Sequence, residues 1–165
     1  MYKHILVAVD GSSTSQLAFN EALKFAKAGS QLTAVTVVDN PFINYGYDIP
    51  ASVLTFGFEE AHADFIKQAK DILTQTEIDA DKHAGVKMKT CLVDMGFNLD
   101  HGDIAKAIEK TAIDCNADLL VIGTHGRRGI KRLFLGSVAE HVIRHSHIPV
   151  LLIRGKMDEP SLGAD

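Results

Sequence analysis

The 165-residue sequence predicts one α/β domain built on a doubly wound parallel sheet. Strand-length apolar runs alternate with longer segments of helical period, the pattern of repeated βαβ units. Two of those runs, residues 5–9 and 118–123, are apolar almost throughout, which suits strands covered by helices on both faces. With 46% hydrophobic residues, a chain of this length can bury a real core.

The first strand is residues 5–9. Ser13 and Gln16 then have the spacing of a capping box, ahead of a helix with Ala18, Ala22, Phe25 and Ala26 on one face and Gly29 as its terminator. Residues 32–38, rich in β-branched side chains, form the second strand. Residues 39–57 hold Pro41, Gly46 and Pro50 among Phe42, Tyr45, Tyr47 and Phe56, and read as a long irregular loop. A second helix follows with Phe58, Ala61, Phe65, Ala69, Ile72 and Leu73 inward, stopping near Gly85.

Residues 86–90 alternate apolar residues with Lys87 and Lys89, as expected of an edge strand guarded against further pairing. Ile104, Ala107, Ile108, Thr111 and Ala112 mark a third helix that begins near Gly102 and Asp103. After the strand at 118–123 come a glycine-rich loop and a short fourth helix, residues 137–145. Pro149 opens a fifth strand, residues 150–153, at a position where its missing N–H is tolerated. The domain spans residues 1–154; residues 155–165 have no period and read as a disordered tail.

Composition excludes several classes. No apolar run approaches the roughly 18 residues of a membrane span, and the N-terminus lacks a cleavage pattern, so a cytoplasmic protein without membrane insertion is expected. Cys91 and Cys115 are isolated and read as buried thiols. A net charge of −4 argues against nucleic acid as a partner.

Against that acidic balance, Arg127, Arg128, Lys131 and Arg132 cluster beside a glycine spacing of G-x2-G-x9-G-S, formed by Gly123, Gly126, Gly136 and Ser137. Glycines admit main-chain N–H groups close to an anion, and a helix start supplies further donors. The pattern is that of a phosphate cradle. If the first and fourth strands are neighbours, Asp10 shares its crevice and can bond a ribose hydroxyl, or else serve as a turn or cap residue. Ser137 and Glu140 also have capping-box spacing.

Other chemistries find less support. There is no Walker pattern and no G-x-G-x-x-G after the first strand. No serine sits in a G-x-S-x-G elbow. His141, His145 and His147 lack a completing ligand and read as surface histidines. Asp94, Asp100, His101 and Asp103 read mostly as capping residues.

Three stretches together resemble the universal stress protein family, in its ATP-binding branch: residues 3–12 (Lys-His-Ile-Leu-Val-Ala-Val-Asp-Gly-Ser), the loop from Gly123 to Ser137, and residues 147–152 (His-Ile-Pro-Val-Leu-Leu). The resemblance covers residues 1–154. It implies a five-stranded parallel sheet in the order 3-2-1-4-5 with helices on both faces, of the adenine nucleotide alpha hydrolase-like type. It also implies a stress-response role, a homodimer, and ATP or AMP between strands one and four, with Mg²⁺ compatible beside ATP. By position, Ala8, Val9, Asp10 and Val37 would face adenine and ribose. Gly123, Gly126 and Arg127 would meet ribose and phosphate, and Gly136, Ser137 and Val138 would hold phosphates. In that strand order the uncharged fifth strand, Val150 to Ile153, would be an edge that invites pairing with its symmetry mate. A slow ATPase or phosphotransferase and a nucleotide-free dimeric scaffold remain open alternatives; no catalytic residue is assigned.

Overall fold

The computed structural model describes residues 2–39, 51–83, 85–96, 104–126 and 135–155. Its elements alternate: β1 (His4–Ala8), α1 (Ser13–Phe25), β2 (Gln31–Val38), α2 (Ala51–Asp81), β3 (Lys87–Asp94), α3 (Ile104–Asp114), β4 (Leu119–Gly123), α4 (Ser137–His145) and β5 (Val150–Ile153). The strands form one parallel sheet in the order β3-β2-β1-β4-β5, as expected from the resemblance.

Each sheet face has its own apolar cluster. Val7, Phe19, Ala22, Leu73 and Val121 lie among α1, α2 and the sheet, and Leu6, Ile108, Leu120 and Val142 lie among α3, α4 and the opposite face. Because side chains alternate along a strand, adjacent Leu6 and Val7 serve opposite layers, which is why β1 must be apolar at both positions.

Several local expectations need correction. The first helix is capped by Ser12, whose hydroxyl accepts from Ser15 N–H at 3.1 Å, so Ser13 is its first helical residue. It ends at Phe25, and Gly29, at φ +91°, instead serves the turn into β2. Phe25 is 41% exposed and packs edge-on against Tyr2, while Phe19 and Leu23 take the buried face.

The second helix begins at Ala51, directly after Pro50 in sequence, and therefore claims residues 51–57 of the expected loop. It is 31 residues long, with Ala69, Leu73, Thr76 and Ala80 buried. The remainder of that stretch after Asp39 falls outside the described residues, as do Gly102, Asp103 and residues 156–165.

β3 runs on to Asp94 and is an edge strand. Cys91 and Cys115 are free thiols but only half-buried, and both line a groove on one face of the sheet. Among the described residues no helix is long and apolar enough to cross a membrane.

Candidate functional site

β1 and β4 are neighbours at the place where strand order reverses, so a crevice opens beyond their carboxyl ends. Asp10 follows β1 there. Its main-chain N–H donates to Ser15 Oγ at 3.2 Å, and its Oδ1 accepts from Ser12 N–H at 2.9 Å. The carboxylate thus holds the turn into α1, as its turn-residue reading anticipated. Its other oxygen lies against the glycine loop: a Cβ built on Gly126 would stand 2.5 Å from Asp10 Oδ2.

Each motif glycine is crowded by the protein itself where a side chain would start. A Cβ on Gly123 would come within 2.8 Å of Thr14 Cγ2, so this glycine lets α1 close over β4. Gly136 donates its N–H to Thr124 O at 2.8 Å, and a Cβ there would lie 3.0 Å from the same oxygen. These contacts explain the spacing before any ligand is considered. Gly123 and Gly136 bind the loop's two ends to the strand, and Gly126 leaves room for Asp10.

Gly136 is also the N-cap of α4, which displaces Ser137 from the capping position it was expected to fill. Ser137 is exposed and opens the helix, so the capping box with Glu140 does not form. Glu140 N–H bonds Gly136 O at 2.9 Å, but no described group accepts from the N–H groups of Ser137, Val138 or Ala139. A helix start with three such donors carries partial positive charge toward the crevice.

The other expected contacts are distributed unevenly. Val9 donates its N–H to Val35 O at 2.9 Å and accepts from Thr36 Oγ1 at 2.8 Å, so both its main-chain groups are engaged. Ala8 is half-buried, and half-buried Val37 lies two residues beyond its register partner, Val35. Arg127, together with Arg128, Lys131 and Arg132, lies outside the described residues.

Sequence reasoning passed over His125. Its Nδ1 is 3.0 Å from Thr124 Oγ1, while its Nε2 is buried with no hydrogen-bond partner among the described residues. The available signal was a histidine between two motif glycines. Thr14, which meets both Gly123 and a Cβ built on Gly155, was also missed.

Elsewhere, His141 and His145 stack with ring centroids 4.1 Å apart, and His145 Nδ1 is bonded to His141 O at 2.9 Å. Among the described residues no cluster of three or more His, Cys, Asp or Glu side chains is arranged for a metal. Asp94 pairs with His62 at 3.2 Å and accepts Gly96 N–H at 2.8 Å, so it is a turn and ion-pair residue rather than a helix cap. Asp100 and His101 lie outside the described residues.

The model of the universal stress protein family matches residues 1–154. The chain belongs to that family. A candidate universal stress protein of Staphylococcus saprophyticus is 35% identical over 156 residues, spanning 93% of this chain and 84% of the relative. Among solved structures, universal stress protein UspA from Lactobacillus plantarum has a TM-score of 0.74 at 30% identity, covering 93% of this chain and 98% of that one. Hypothetical protein MJ0577 has a TM-score of 0.76 at 28% identity, covering 96% and 99%. The glycine loop, the crevice and α4 all lie inside the matched region of this universal stress protein.

Proposed function

We propose that this universal stress protein binds an adenine mononucleotide, ATP or AMP, in the crevice between β1 and β4, and acts as a regulatory binding protein of the stress response. The observation that carries the reading is the row of Ser137, Val138 and Ala139 N–H groups without partners among the described residues at the start of α4. Such a row suits phosphate oxygens. The buried, unpartnered Nε2 of His125 in the adjoining turn supports a polar ligand in the same crevice, since burial without a partner costs about 1–3 kcal/mol.

In this reading Gly136, Ser137 and Val138 hold phosphates, Gly123, Gly126 and Arg127 approach ribose and phosphate, and Ala8, Val9, Asp10 and Val37 border the adenine and ribose. Asp10 is the carboxylate nearest the glycine loop and would face the ribose hydroxyls or a Mg²⁺ carried by ATP. Because Asp10 already holds Ser12 N–H, it suits a positioning role more than that of a base. The nucleotide is therefore held rather than cleaved.

A homodimer forms through β5, whose outer side no described strand pairs and whose four residues carry no charge. Nucleotide signals by favouring one conformation of that dimer over another.

Calorimetry on nucleotide-stripped protein tests binding: ATP or AMP heat at sub-millimolar concentration is expected, and its absence refutes the reading. Mass spectrometry of co-purifying ligand distinguishes the two nucleotides. Light scattering at micromolar concentration is expected to give a dimer. Phosphate release above background that disappears in Asp10→Ala would instead assign a slow ATPase.

A further inference from the structure

The two faces of the sheet are not equally covered. α2 packs over β2 and β3 from one side, while on the other side α3 packs against β2 and α4, and among the described elements none packs as closely on that face of β3. A groove of about 690 Å³ occupies that space, lined by His4, Thr33, Lys89, Cys91, Lys110 and Cys115 among others. Its size falls in the range of small-molecule sites, about 300–1,000 Å³. It lies on the side wall of the sheet, and none of its lining residues belongs to the glycine loop or to Asp10.

We infer that this groove is a second ligand site, for a small organic anion with an apolar body. The apolar part of the argument is the floor. Cys91, Val93, Ala107 and Cys115 are half-buried and present an apolar surface between strand and helix. This is why the two thiols are not sealed in the core.

The anionic part is the charge. Lys89 stands on the strand wall and Lys110 on the helix wall, opposed among the lining residues by Asp114 alone. Two cations against one anion leave a net positive charge in a protein whose overall charge is −4. Asp114 is already paired with Lys110 at 2.6 Å, and no described carboxylate pairs with Lys89. Lys89 is thus the charge available to a ligand.

The end of the groove is fixed. His4 Nε2 lies 2.8 Å from Thr33 Oγ1, which ties β1 to β2 beside Cys115 at the end of α3. Burial, then the neighbouring Lys89 ammonium, hold the His4 imidazole below its ordinary pKa. An anion seated beside Lys89 would relieve that cationic field.

Anilinonaphthalene sulfonate, an apolar anion whose fluorescence rises on burial, is the probe for the full-length folded protein. Saturable binding is expected, undiminished by excess ATP. Amide chemical shifts should change at Cys91, Val93 and Cys115 while those of Asp10 and Ser137 stay in place. Lys89→Glu should weaken binding about tenfold, since a local attraction becomes a repulsion. If that variant fails to fold by circular dichroism, Lys89→Gln is used, with a loss of about threefold expected. No saturable binding, displacement by ATP, or unchanged affinity in a folded Lys89 variant would overturn the inference. ATP binding to the β1/β4 crevice is measured separately and can fail without affecting this result.

Discussion

The two ends of the central strands differ in how fully their polar groups are paired. At the amino ends the chain consumes its own polar groups. Asp118 accepts from Lys3 N–H at 2.8 Å and His4 N–H at 3.0 Å, Ser30 Oγ donates to Tyr2 O at 3.0 Å, and the His4 ring is held by Thr33. At the carboxyl ends three main-chain donors of α4 and the Nε2 of His125 have no partner among the described residues. The described groups at the amino end pair off among themselves, whereas at the carboxyl end several donors are left over beside the paired Asp10 and Val9, where the proposed nucleotide would sit. Substitutions at the two ends should therefore separate binding from stability.

The largest effect is expected at the carboxyl end. Gly126→Val would drive a Cβ to 2.5 Å from Asp10 Oδ2, so the carboxylate must shift. Gly126 does not have a positive φ, so valine meets a side-chain conflict rather than backbone strain. Calorimetry should show ATP affinity reduced about 100-fold, or about 2.7 kcal/mol. Stability should fall by only about 1 kcal/mol as the Ser12 bond is disturbed. Equal affinity in a folded variant would remove Gly126 from the site.

At the amino end the expectation reverses. Asp118→Ala leaves the Lys3 and His4 N–H groups without their acceptor and should cost about 2 kcal/mol in chemical denaturation, with ATP affinity unchanged. A drop in ATP affinity at equal stability would show the two ends to be coupled.

These ends also differed in how far they were legible from sequence. The carboxyl end announces itself locally: an apolar run stops at Gly123, glycines follow at fixed spacing, and α4 and β5 have the boundaries their flanking glycine and proline suggest. The amino end involves Tyr2, His4, Ser30, Thr33 and Asp118, which no spacing connects until the sheet is assembled. The start of α2 was hidden for another reason, because a segment rich in aromatics, glycine and proline has weak helical signals even where it is helical. For α1, Ser12 with Ser15 and Ser13 with Gln16 are adjacent hydroxyl patterns, and only geometry chooses between them.

pH gives a smaller test of the amino end. Burial and Lys89 depress the His4 pKa below 6.5, so the unfolded chain takes up a proton more readily than the folded one. Stability therefore falls as pH drops from 6.5 through the folded value. Burial would raise Asp118, but the Lys3, His4 and Asp118 N–H groups outweigh it and hold the carboxyl below its ordinary 3.8. Its contribution is present above 3.8 and is lost as pH falls through the lower folded value. Replacing His4 with Gln should flatten the denaturation midpoint just below pH 6.5 while leaving the acidic limb; an unchanged upper slope would assign that proton elsewhere.

The smallest effect should come from the exposed hydroxyl at the start of α4. Ser12→Ala removes a side chain that accepts Ser15 N–H and should cost about 1 kcal/mol. Ser137→Ala removes a hydroxyl at the first helical position, after a glycine cap, and should change stability by less than about 0.5 kcal/mol. Because the Ser137 N–H survives in the alanine variant, most of the proposed phosphate contact survives with it. A stability loss as large as that of Ser12→Ala would mean that Ser137 does cap α4 in solution. A loss confined to nucleotide affinity would show that its hydroxyl, as well as its main chain, faces the phosphate.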